Sequence, residues 1–138
     1  MKNGIEELKE LVYLKKLVIS QNDLTELWEV PIQLETLIVS HNKLKSVGKS
    51  VSRLLNLKVL DMSFNQISDC EGISNLKKLQ ALNLAHNEIS SLEYFNDLPM
   101  LKELDLRSNK ITTWNPPNAL SLLNSLEIVL LANNDIIL

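Results

Sequence analysis

The stretch LQALNLAHNEI, Leu79–Ile89, holds a leucine, two spacers, a leucine, one spacer, a leucine, two spacers, an asparagine, one spacer and an isoleucine. Five more copies align on the asparagine: LKKLVISQNDL from Leu14, LETLIVSHNKL from Leu34, LKVLDMSFNQI from Leu57, LKELDLRSNKI from Leu101 and LEIVLLANNDI from Leu126. Their asparagines are Asn22, Asn42, Asn65, Asn87, Asn109 and Asn134, spaced 20, 23, 22, 22 and 25 residues apart. A repeat of this length marks a solenoid, in which one supersecondary unit per turn buries its apolar face against its neighbours. The alternation inside LxxLxL predicts a short strand with its leucines on one face and its spacers on the other.

The asparagine falls just past each strand, where the chain must turn. Its amide both donates and accepts, so a column of asparagines can satisfy backbone groups of adjacent turns that would otherwise be orphaned inside the coil. That role is structural. In the 22-residue copies the return segments carry apolar residues every third position, Ile67, Cys70, Ile73, Leu76, Leu79 and then Ile89, Leu92, Phe95, Leu98, Leu101. A period of three favours 3₁₀-like turns over a long helix. The first return segment contains Pro31 and reads as extended, whereas KSVSRLLNL, Lys49–Leu57, reads as more helical. The fifth carries Pro116 and Pro117, then NALSLLNSL, a loop followed by a short helix.

Residues 1–13 precede the first repeat. Ile5, Leu8, Leu11 and Val12 stand at helical spacing among charged residues, which predicts an amphipathic capping helix over the N-terminal end of the core. Residues 14–138 form the repeat domain. Four residues follow the last asparagine, so no C-terminal cap is expected. An uncovered end is a liability in a repeat array, which predicts either a fragment of a longer protein or an end covered by a partner.

Composition narrows the function classes. The 138 residues are 45% hydrophobic with a formal net charge of −3, which suits a globular domain and offers no basic face for nucleic acid. No apolar run approaches the roughly 20 residues a membrane-spanning helix needs. Cys70 is the single cysteine, so no internal disulfide can form, and no asparagine sits in an N-x-S/T sequon. Both point to a reducing, cytoplasmic setting.

The repeats resemble the intracellular leucine-rich repeat family, and the 22-residue copies over Ile73–Ile111 are most similar to its SDS22-like subclass. The 20-residue first spacing, across LTELWEVPIQLETL, looks more like repeats of some bacterial effectors. The resemblance implies an α/β leucine-rich repeat horseshoe of about six repeats, with a parallel concave β-sheet and 3₁₀ turns or short helices on the convex side. It also implies a binding module, because in this family the concave sheet most often holds another protein.

The strand alternation predicts three columns on that concave face: Lys16, Thr36, Val59, Ala81, Glu103 and Ile128; Val18, Ile38, Asp61, Asn83, Asp105 and Leu130; and, just before the asparagines, Gln21, His41, Phe64, His86, Ser108 and Asn133. Phe64 is the best single anchor, because the period places its ring outside the core, where it has no structural duty, and aromatics are typical interface hot spots. Phe64, Ile38, Asp61, Asn83, His86 and Asp105 are the candidate partner contacts. The alternative is that they are scattered surface residues of no consequence. Trp114 shares a core column with Leu27, Val47, Cys70 and Leu92, whereas Trp28 falls one position later, on an exposed loop edge. Cys70 is expected to be a buried, unreactive thiol.

Catalysis has little support. His41 and His86 lie two strands apart, roughly 9–10 Å at the usual interstrand spacing, too far for a shared zinc, and no further ligand completes a set. Asp61 and Asp105 are equally far apart and have no enclosed pocket around them. Arg107 belongs beside Asp105 and Glu103, where its charge is neutralised. The expectation is a non-catalytic protein-binding module without cofactor or metal. A scaffold segment of a longer leucine-rich repeat or cytoskeletal protein, self-associating through its open end, is the alternative.

Overall fold

The computed structural model describes residues 5–114 and 124–137. Six three-residue strands form one parallel sheet in sequential order: β1 (Lys16–Val18), β2 (Thr36–Ile38), β3 (Val59–Asp61), β4 (Ala81–Asn83), β5 (Glu103–Asp105) and β6 (Ile128–Leu130). The register never slips. Lys16 pairs with Thr36, Thr36 with Val59, Val59 with Ala81, Ala81 with Glu103 and Glu103 with Ile128. Repeats of 20 to 25 residues keep this register because every length difference falls in the return segments. The middle residue of each strand points inward. Leu37, Leu60, Leu82 and Leu104 are buried, while Leu17 and Val129, with a neighbouring strand on one side only, are half-buried.

Past each strand the chain turns through a residue with left-handed backbone. Gln21, His41, Phe64, His86, Ser108 and Asn133 all have φ between 55° and 59°. This conformation costs an L-residue about 1–2 kcal/mol, and two sets of hydrogen bonds hold it. The N–H of each of the first five reaches the next turn, as in His41 to the Ser63 carbonyl at 3.0 Å and His86 to the Arg107 carbonyl at 2.8 Å. The asparagine that follows completes the lock. Asn87 Nδ2 donates its two protons among the carbonyls of Met62, Leu84 and Ala85, at 3.0, 3.0 and 3.3 Å, and its Oδ1 accepts the Ile67 N–H at 2.9 Å. Asn42, Asn65, Asn109 and Asn134 repeat the pattern. Asn22 departs from it: with no earlier repeat to bridge, its amide reaches, among the described residues, only the Ser20 carbonyl, at 3.0 Å.

The return segments follow the sequence reading where they are described. The stretch with Pro31 has no helix, α1 (Gly48–Ser52) is a short α-helix, and Ile73–Asn75 is a 3₁₀ turn. The proline-containing fifth segment lies mostly outside the described residues. Phe95, Leu76, Leu98 and Cys70 fill the space behind the sheet. Trp114 is half-buried against the core and so, contrary to the loop-edge expectation, is Trp28. The N-terminal segment also differs from the expected amphipathic helix. Ile5–Glu10 is a 3₁₀ helix. Leu8 packs on the core, but Leu11 and Val12 are exposed, because Gln33 Nε2 donates to the carbonyls of Leu11 and Leu14 and ties the chain down in a turn rather than a continuing helix.

Candidate functional site

The first two spacer columns lie on one side of the sheet in register, as the alternation predicts, and the third follows at the left-handed turns past the strands. Phe64 and Val59 are exposed, and Ile38, Asp61, Asn83 and Asp105 are half-buried beside them. The structure therefore brings the candidate contacts together. It also assigns several of them duties that residue type and period did not reveal.

Asp61, Asn83 and Asp105 cap their own turns. The Oδ1 of each accepts the backbone N–H two residues on, Ser63 at 2.9 Å, Ala85 at 3.0 Å and Arg107 at 3.1 Å. This is the local side-chain turn that Asp and Asn favour. Asp61 Oδ1 also accepts the Ser63 hydroxyl at 2.7 Å. Asp105 is clamped by Arg107, whose Nε donates to Oδ1 at 2.9 Å and Nη2 to Oδ2 at 2.7 Å. Partial burial would raise the Asp105 pKa, but the hydrogen bonds and charge of Arg107, with a contribution from His86, outweigh it and hold the carboxyl below its ordinary value. Arg107 is raised in turn by Asp105. Among the described residues neither Glu103 nor Asp61 is in an ion pair, whereas Asp105 is paired with Arg107.

Phe64 is not a bare ring. It lies between His41 and His86, with centroids 4.3 and 4.1 Å away and ring planes within 9° and 10° of parallel. This corrects the expectation that the ring has no structural duty: three consecutive turns hold their left-handed residue in the same orientation, and the parallel register brings the rings to stacking distance. Phe64 nonetheless remains 43% exposed. Phe64 fills the space between the two imidazoles, and among the described residues no three His, Cys, Asp or Glu side chains are placed to hold a metal ion.

Ala81 is the small residue of the first column. Between Val59 and Glu103 it leaves a shallow hollow of about 310 Å³, floored by strand backbone and bordered by Ile38, Asp61, Asp105 and Leu130. Nothing in the bare repeat pattern marks this hollow except the alanine. A larger depression of about 420 Å³ lies away from the sheet, beside Lys9, Val12, Glu29, Ile32 and Arg53. There Glu29 sits between Lys9 at 3.6 Å and Arg53 at 3.3 Å. Size alone does not select between the two, since neither is an enclosed pocket.

Comparison with known proteins agrees with this architecture. Residues 32–89 match the leucine rich repeat family, and residues 77–118 match a two-copy leucine rich repeat family. No curated protein sequence matches. Among solved structures, a leucine-rich repeat protein of Leptospira interrogans is 31% identical with a TM-score of 0.84, over 99% of this chain and 35% of its own. Internalin C2 of Listeria monocytogenes is 27% identical with a TM-score of 0.73, over 92% of this chain and 55% of its own. InlF, an internalin of the same organism, shares the fold at 23% identity and a TM-score of 0.75, over 96% of this chain and 46% of its own. The chain thus spans about a third to a half of the length of these structures. The five asparagine-locked turns, the unbroken parallel sheet and these matches together make the chain a leucine-rich repeat protein.

Proposed function

We propose that the chain is a non-catalytic module that binds a partner protein through the concave face, with Phe64, Ile38, Asp61, Asn83, His86 and Asp105 among its contacts. One observation carries this reading: the in-register columns leave an aliphatic border of Ile38, Val59 and Leu130 around the hollow over Ala81, with Asp61 and Glu103 at its edge. Such a mixed surface on a rigid sheet suits a protein partner, which supplies both apolar area and polar pairing. A reducing, cytoplasmic setting belongs to the same proposal and rests on the single cysteine, which is buried and unpaired. The SDS22-like subclass rests on the 22-residue repeats alone.

The test is affinity capture of a partner, followed by titration against Val59→Glu and Glu103→Lys. Both positions are exposed and neither side chain holds the fold. Each is expected to weaken binding at least about tenfold, a loss of ~1.4 kcal/mol. Unchanged affinity in the double variant would assign binding to another face.

A further inference from the structure

The exposed surface on the opposite flank of the chain is as ordered as the sheet. The first five repeats enter their strands through the same tight turn, closed by an N–H to carbonyl bond: Leu14 to Leu11 at 3.0 Å, Leu34 to Pro31 at 3.3 Å and Leu57 to Leu54 at 3.0 Å. The turn repeats at Leu79 to Leu76 and Leu101 to Leu98, both at 3.1 Å. Equivalent corners therefore align along the solenoid. The first corner is Val12, then Ile32, then Leu55, and in the fourth repeat it becomes Lys77. The three aliphatics are 59%, 61% and 58% exposed, in a row on consecutive turns, and Tyr13 beside Val12 is 90% exposed.

A row of large apolar side chains held outward by identical turns is not the single scattered residue that needs no explanation. Charge is distributed unevenly about it. On one side, Lys9 and Arg53 are balanced by Glu10 and Glu29 around the larger depression. On the other, Lys15, Lys58 and Lys78 border a depression of about 260 Å³ whose one carboxylate is Glu35. Lys15 and Lys58 each reach Glu35 at 3.1 Å, which holds its pKa below the ordinary value, and Lys78 donates to Asn56 at 3.0 Å. Three lysines to one glutamate, on a chain of net charge −3, make this side a local excess of positive charge.

We propose that the Val12–Ile32–Leu55 ridge is a second docking surface, for an amphipathic helix of a partner protein whose apolar stripe carries carboxylates along the edge facing Lys15, Lys58 and Lys78. The pitch favours a helix. Successive turns of the solenoid are about 4.8 Å apart at the sheet, close to the roughly 5–6 Å between side chains three or four residues apart on a helix. An extended strand repeats on one face only every 6.4–6.8 Å or so. A helix laid along the solenoid axis thus meets all three aliphatics with one stripe. This surface is separate from the concave face, and its test is independent of that reading.

The experiment uses the full chain and three synthetic helical peptides of about five turns: leucines at i, i+3, i+4 and i+7 with glutamates along one edge, the same stripe edged by lysines, and a scrambled control. Binding is read by fluorescence anisotropy and by backbone amide shifts. The glutamate-edged peptide is expected to bind, to shift residues 11–14, 32–35 and 55–58, and to weaken as salt is raised. Ile32→Glu or Lys58→Glu each lowers its affinity at least about tenfold, while Val59→Glu on the concave face leaves it unchanged. Leu55→Ser repeats the test should Ile32→Glu fail to fold, judged by circular dichroism. Absence of binding, equal binding of the lysine-edged peptide, or shifts confined to β1–β6 would overturn the proposal. Phosphatidylserine vesicles and sedimentation velocity complete it: vesicle binding or dimerisation abolished by Ile32→Glu, without peptide binding, would assign the ridge to a membrane or to a second copy instead.

Discussion

The rings of Phe64 and His86 stack with centroids 4.1 Å apart and planes 10° from parallel, although both residues sit at left-handed corners on neighbouring turns. The stack is a product of strained backbone held in register, and its two components separate by substitution. Phe64→Ala removes the stacking with both imidazoles and is expected to destabilise the fold by about 1–2 kcal/mol. Phe64→Gly loses the same ring but relieves the φ of 55°. Glycine should therefore be at least as stable as alanine here, the reverse of the order in an ordinary strand or helix. Urea denaturation of the two variants measures it, and a clearly less stable glycine variant would show that the corner carries no strain.

The asparagine column predicts unequal costs along the chain. Asn87→Leu orphans the Ile67 N–H and the carbonyls that the amide holds, within buried surroundings. At roughly 1–3 kcal/mol for each buried group left without a partner, a loss of at least about 2 kcal/mol is expected. Asn22→Ala gives up one exposed bond to the Ser20 carbonyl and should cost less than about 0.5 kcal/mol. Equal losses in denaturant midpoints would refute the bridging role of Asn87.

Asp105 makes stability depend on pH in a definite direction. Its folded pKa lies below the ordinary 3.8, so the folded state favours the carboxylate more than the unfolded chain does. The contribution is complete above the unfolded value and is lost as pH falls through the lower folded one. The stability difference between wild type and Asp105→Asn should be constant near neutrality and shrink below pH ~4. Because Arg107 is exposed, added salt should reduce it as well. Denaturant titrations from about pH 2.5 to 7 test this, and a difference that grows on acidification would contradict it.

Cys70 should be inert while the chain is folded. Burial, with the charge of Asp69 adding to it, pushes its thiol up to about 12, and the thiolate is the reactive form. Iodoacetamide at pH 8 is expected to label it at the rate of unfolding. Fast labelling of the native protein would mean that the back of the solenoid opens locally.

Gly72 opens the 3₁₀ turn Ile73–Asn75 with φ 95°, and a Cβ there would stand 2.7 Å from that of Ser52. Gly72→Ala combines left-handed strain with a clash against α1, and a loss of about 1–3 kcal/mol is expected. Pairing it with Ser52→Gly removes the clash and should recover part of the loss, which separates the two causes in thermal melts.

The sequence by itself determined what depends on period. An apolar residue every second position in LxxLxL, repeated in every copy, is enough to define strands and inward faces, because a side-chain period of two admits one inward set, and the period of three in the return segments marks Cys70 and Phe95 for burial. It also placed Phe64, Asp61 and Asp105 on one surface. Only the tertiary structure decided what depends on torsions and on the irregular segments. The ring stack needs the left-handed φ of His41, Phe64 and His86, and the Asx turns of Asp61, Asn83 and Asp105 need the chain to bend within two residues of the strand. Trp28 and the outward turns bearing Val12, Ile32 and Leu55 lie where no alternation dictates direction. There the side chains point as the packing of neighbouring turns allows, a relationship between residues about 20 positions apart that periodicity within a single repeat does not encode.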